Sequence, residues 1–185
     1  MLVTAVAFAL TIVLSGAIHL DGFLDCCDAL FAPVSPARRL EILKDPRHGS
    51  FALAGLAVVA ALWLAALGAI APARLPATLA FCAALARWAV LPNAFFVPYA
   101  RETVSRAFAT RPALWAIVFE GALLLAAAFW FGAWTWVLVP IALANALLAA
   151  TLVRRAFGGG LVGDAYGFLI VCLEVALLCV LPLVR

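Results

Sequence analysis

The sequence predicts an all-α integral membrane protein, a polytopic bundle of about six transmembrane helices forming a single domain over residues 1–185. Composition comes first: 69% of residues are hydrophobic and only 11% charged, with a mean hydropathy of +1.21. A soluble domain carries roughly a quarter charged residues, and a chain this apolar has too little polar surface to face water. Second, apolar runs long enough to cross the hydrocarbon core recur along the chain. Third, the basic residues are confined almost entirely to alternate loops, as the positive-inside rule requires. The net charge of +3 is too small to argue for nucleic acid.

The runs fall near 1–20, 51–73, 77–100, 113–132, 134–153 and 166–184. The first has neither a basic leader nor a small-residue cleavage site, so it reads as a retained span rather than a removable signal. Short breaks containing Pro, Gly or charge separate the others: Ala71-Pro72-Ala73-Arg74, Arg101 to Pro112, Gly132-Ala133-Trp134 and Gly158-Gly159-Gly160. Trp88, Trp115, Trp130, Trp134 and Trp136 lie mostly toward span ends, where indoles anchor at the interface. Five cysteines without a C-x-x-C pair read as small buried hydrophobes.

Nine of the 12 Lys and Arg stand in three loops: Arg38, Arg39, Lys44 and Arg47; Arg101, Arg106 and Arg111; Arg154 and Arg155. These loops are expected in the cytoplasm, with both ends of this chain on the far side of the cell inner membrane. Seven of the nine acids gather on that same face, which sets the chain apart from a transporter, whose ionisable groups collect at mid-membrane around broken helices.

The chemistry-bearing stretch is His19-Leu20-Asp21-Gly22-Phe23-Leu24-Asp25-Cys26-Cys27-Asp28, expected at the cytoplasmic end of the first span. Asp21, Asp25 and Asp28 follow i, i+4, i+7, so all three project from one helix face. At about 6 Å and an effective dielectric near 20, each adjacent pair repels by roughly 3 kcal/mol, a cost that a cation removes. Oxygen-only ligands favour Mg²⁺. A solvated acidic helix end is the other reading of the same spacing. Pro36 to Lys44 reads as a short amphipathic helix and Asp45-Pro46-Arg47-His48-Gly49 as a turn, their cations suited to phosphate and to setting topology. His19 and His48 lack partners at ligand spacing and read as packing or hydrogen-bonding residues.

Arg87, deep in the third run, needs a partner or a cavity. Glu120 and Glu174 are the acids inside other spans, and an ion pair and a substrate contact are both open to it. The glycine segment with Gly159, Gly160 and Gly163 lets backbone N–H groups approach phosphate at a helix start. Asp164 beside it reads as a metal ligand or as the N-cap.

Three blocks resemble the cobalamin (5'-phosphate) synthase family, the adenosylcobinamide-GDP ribazoletransferases of late vitamin B12 assembly. Ser15 to Asp28, continued by Arg39-Leu40-Glu41-Ile42-Leu43-Lys44-Asp45-Pro46-Arg47-His48-Gly49, is similar to H-x-D-G-x-x-D-x-x-D and L-E-I-M-[KR]-D-x-R-x-G. Arg87 with Tyr99-Ala100-Arg101 forms the second block, and Gly159 to Gly167 with Glu174 the third. Ala29, Val162 and Val171 depart from the family's usual Gly, Thr and Glu. Family members usually begin with a further amphipathic stretch and span, so this chain is expected to lack that part.

The resemblance implies a Mg²⁺-dependent transfer. A hydroxyl of α-ribazole or its 5'-phosphate attacks the cobinamide-side phosphorus of adenosylcobinamide-GDP, and GMP leaves. On that reading Asp21, Asp25 and Asp28 hold the metal, and Asp45, Asp164 and Lys44 are catalytic, the two acids completing the metal site or orienting the nucleophile. Lys44, Arg47 and Arg101 meet phosphates, with Arg87, Gly159, Gly160 and Gly163 also on the substrate. The implied partners are these two substrates and the bilayer, with a second copy of the chain or other enzymes of the pathway as further candidates. The rival enzyme class, transferases that move a phospho-alcohol from CDP, opens its motif with D-G-x-x-A-R, whereas Asp21-Gly22 is followed by Phe23-Leu24-Asp25.

Overall fold

A computed structural model describes residues 2–100, 113–132, 136 and 138–181. Nine α-helices occur among them, and β-type pairing among the described residues is limited to one isolated bridge, Tyr99 with Leu161. In chain order they are α1 (Leu2–Leu14), α2 (Ile18–Phe31), α3 (Pro36–Ile42), α4 (Ser50–Gly68), α5 (Leu75–Val90), α6 (Asn93–Phe96), α7 (Leu114–Phe131), α8 (Leu138–Ala156) and α9 (Gly163–Val180). Five are long and apolar enough to cross a membrane: α4, α5 extended by α6, α7, α8 and α9. The polytopic helical bundle expected from the apolar runs is therefore what the chain forms.

The first run departs from its expected form. Residues 1–20 are not one span: α1 ends at Leu14, and α2 leaves it at 88°. Gly16 (φ 59°) and Ala17 (φ 58°) turn through the left-handed region, which ends a right-handed helix. Just before the break, the Thr11 and Ser15 hydroxyls donate back to the carbonyls of Phe8 and Ile12, a bond that bends helices. The acids thus sit on a separate 14-residue helix, about 21 Å long and too short to span. The third run likewise divides at Leu91-Pro92, leaving α5, the short α6, and extended chain from Val97.

Helix α9 is the hub, with α2, α4, α5 and α8 all packed on it. Its Leu169, Ile170, Val171, Val175 and Leu178 are buried. α8 offers Ala142, Ala146 and Ala150, one turn apart and all buried, a small-residue face of the kind that lets membrane helices approach closely. The opposite surfaces stay apolar and exposed, as at Trp115, Phe129 and Trp130 of α7, where lipid rather than protein is the solvent. Cys26, Cys27 and Cys82 are buried as expected, whereas Cys172 is exposed because it faces out of α9.

Candidate active site

Helix α2 lies across the first turns of α4 and α9. Gly22 makes the crossing with α9 possible: a Cβ there would stand 2.8–2.9 Å from the backbone of Asp164. Asp164 is in the first turn of α9 but is not its N-cap, which is Val162. This crossing brings together acids 143 positions apart in sequence (Asp21 and Asp164), and both charges raise the pKa of Asp25.

Asp25 is the electrostatic centre. Burial first, then the charges of Asp21 and Asp164, push its carboxyl up to about 6, with His48 opposing. The His48 Nδ1 lies 3.5 Å from Asp25 Oδ1, so the turn after α3 folds back onto α2. Sequence spacing gave no hint of this pair, since the partners are 23 residues apart and only the chain reversal joins them.

Asp28 points the other way, to the start of α4. It accepts hydrogen bonds from the N–H groups of Gly49 (2.5 Å) and Ala52 (3.0 Å), capping a helix whose own N-cap glycine has no side chain to offer. Both its oxygens are engaged.

Arg39, expected from sequence only as a topology-setting or phosphate-facing cation, anchors α3 just before the basic turn. Its guanidinium donates to the carbonyls of Ala156 at the end of α8 and Ala32 at the end of α2. Nearby, Arg47 grips Asp45 through Nε (2.9 Å) and Nη2 (2.8 Å), and its backbone N–H also donates to that carboxylate. These bonds hold Asp45 down at about 2. Asp28, Glu41, Asp45, Arg47 and Phe51 line a shallow cavity of about 300 Å³, and Lys44 is exposed close by in sequence.

The glycine loop serves the fold before any ligand. The N–H of Gly159 donates to Arg154 and that of Gly163 to the Tyr99 hydroxyl, so neither is free to meet a phosphate. Gly160 lets the chain before Arg101 come close, since a Cβ there would stand 2.7–2.8 Å from Ala100. Arg101 lies outside the described residues. Arg87 is apart from the acids: its Nη1 donates to Glu174 (3.0 Å) and to the Ala83 carbonyl, and with His19 it lines a cavity of about 610 Å³ between α1 and α5. Of the two partners open to it, the structure selects Glu174, while Glu120 is exposed on α7.

A family model described as cobalamin-5-phosphate synthase matches residues 1–182. The chain belongs to the cobalamin-5-phosphate synthase family. A relative from Deinococcus radiodurans is 39% identical over 180 residues, covering 95% of this chain and 62% of its own length. One from Desulfitobacterium hafniense is 34% identical over 88% of this chain and 66% of its own length. A third, from Stutzerimonas stutzeri, is 34% identical over 99% of this chain and 75% of its own length. All three are described as adenosylcobinamide-GDP ribazoletransferases. The chain thus spans about two thirds of the length of the curated relatives it matches. No solved structure matches it.

Within the cobalamin-5-phosphate synthase family chain, the donor set can be tested against a divalent ion. Among the described residues, no three His, Cys, Asp or Glu side chains converge closely enough to hold one. Mg²⁺ keeps several waters and needs only one or two carboxylates plus substrate phosphate oxygens. Asp25, whose ionisation is opposed by the carboxylates of Asp21, Asp164 and Asp28, fits that demand.

Proposed function

We propose that this chain carries out the adenosylcobinamide-GDP ribazoletransferase reaction at the cytoplasmic face of the cell inner membrane, with Mg²⁺. The supporting observation is the match to the family over residues 1–182. The site's chemistry agrees with it: acids around Asp25 lie beside a basic turn that ends at Arg47.

In this reaction a hydroxyl oxygen of α-ribazole, or of its 5'-phosphate, forms a bond to the cobinamide-side phosphorus. The phosphoanhydride bond breaks, GMP departs with the electron pair, and the hydroxyl proton passes to a base. Bound Mg²⁺ supplies charge neutralisation at the phosphate oxygens. Lys44, Arg47 and Arg101 share that work as cations, which loose phosphoryl transition states reward. Asp45, held at about 2 by Arg47, is too weak a base to take the proton at neutral pH and acts by holding the Arg47 fork in place. Asp164, in the first turn of α9 and beside α2, is the better candidate to orient the nucleophile.

The test supplies membranes containing the chain with adenosylcobinamide-GDP and α-ribazole 5'-phosphate, with and without Mg²⁺. Expected is GMP release that requires the metal and both substrates. Release of CMP from CDP-diacylglycerol instead would place the chain with the phospholipid transferases.

A further inference from the structure

The start of α9 lacks the side-chain acceptor that a helix normally finds at its N-cap. Val162 holds that position with extended backbone (φ −122°, ψ 168°) and makes no capping bond. The first four N–H groups of a helix need outside partners. One partner comes from 64 residues earlier in the chain: the Tyr99 hydroxyl accepts from the N–H of Gly163 at 3.1 Å.

Tyr99 reaches this point because its segment is stitched to the loop before α9. Leu161 N–H donates to Pro98 (3.0 Å), Ala100 N–H donates to Leu161 (2.8 Å), and Tyr99 and Leu161 form a parallel bridge. Gly160 permits the approach, having no Cβ to strike Ala100. The residue after Gly163 is Asp164, whose backbone rests on Gly22 and whose charge acts on Asp25. One seam therefore joins the segment leading to Arg101, the start of α9 and the acidic helix.

We propose that Tyr99 is a positioning residue for the transfer reaction, its hydroxyl standing in for the missing N-cap and so fixing where Asp164 stands against α2. The inference rests on the proposed transferase reading, but the bond it assigns can be tested without substrate. A threonine at an N-cap accepts from the second or third N–H of its helix, so Val162→Thr should anchor the same turn through Asp164 or Ala165 and offset the loss of the tyrosine hydroxyl. Neither residue is placed among the groups that touch phosphate.

The experiment uses the full chain in lipid nanodiscs. For Tyr99→Phe, kcat is expected to fall about tenfold while both KM values stay within about twofold, because the Asp164 carboxylate is misplaced rather than lost. Amide exchange across residues 163–167 should quicken about fivefold, the worth of one such bond. Adding Val162→Thr should restore both. In an Asp164→Asn background, Tyr99→Phe should cost less than about twofold more, since residues acting as a unit are not additive. Unchanged exchange in Tyr99→Phe would overturn the cap. Exchange restored by Val162→Thr without recovery of kcat would overturn positioning in favour of a direct substrate contact. If the wild type releases no GMP from adenosylcobinamide-GDP, the transferase reading fails while the exchange result still judges the cap.

Discussion

At Asp25 the structure concentrates more constraint than at any other acid on α2. A carboxyl raised from 3.8 to about 6 favours the folded state when protonated. Its contribution is full below about pH 4 and is lost as pH climbs through 6. Without divalent ion, the melting temperature should therefore fall between pH 4 and 7, and Mg²⁺ should reverse the fall by binding the ionised form. Asp25→Asn should flatten that profile and lower turnover at least about a hundredfold, in line with losing a centre of electrostatic stabilisation. Thermal melts in detergent with and without Mg²⁺, together with GMP release, check both. Retained turnover and metal dependence in a folded variant would remove Asp25 from the metal site. Asp28 makes a separable prediction. Asp28→Ala uncaps α4 and should destabilise the chain by about 1 kcal/mol, read as a lower unfolding midpoint. The i, i+4, i+7 spacing made the three aspartates visible in sequence, but not that the third turns to α4, because its partners Gly49 and Ala52 lie across a chain reversal.

Among the elements, the Arg87 and Glu174 pairing ties α5 to the hub helix. The carboxylate is 3% exposed and the guanidinium 37%. Removing one partner strands the other charge inside the bundle, a loss of about 3–5 kcal/mol, whereas replacing both by apolar side chains recovers most of it. Arg87→Leu should fail to accumulate or unfold early in detergent, and Arg87→Leu with Glu174→Leu should be nearly as stable as the wild type. A double variant as unstable as the single one would show that the pair does more than neutralise itself. Helix identities were legible because apolar length declares them: α4, α7 and α9 lie close to the expected runs. The break before α2 was not, since Gly16 and Ala17 are apolar and keep the hydropathy of the first run unbroken. Similarly, Gly160 looks like loop flexibility in sequence and Gly22 like an ordinary motif position, yet each is a point where two backbones touch.

At the scale of the whole molecule, the first and third charged loops meet. Arg39 reaches Ala156 at the end of α8, so two loops expected on the same side from charge alone are joined by a hydrogen bond, and Ala100, just before the second loop, pairs with Leu161. With that side cytoplasmic, Lys44→Cys should react with a membrane-impermeant maleimide in inside-out vesicles and not in intact spheroplasts. The reverse pattern would invert the proposed orientation. The grouping of the first and third loops could be read from the positions of Lys and Arg, but the meeting of Asp25 with Asp164 could not, since no local pattern encodes how α2 crosses α9.

The 88° turn between α1 and α2 has a mechanical consequence. Because α2 is seated on α4 and α9 while α1 joins it through the three-residue link at 15–17, the acidic helix takes its depth from the bundle rather than from where α1 sits in the lipid. Thicker or thinner bilayers should then be absorbed by tilting of α1. Turnover in vesicles of 14- to 20-carbon acyl chains should vary by less than about twofold, the bilayer thickness being felt at the hinge and not at the acids. A steep optimum in chain length would show the two helices to be rigidly coupled.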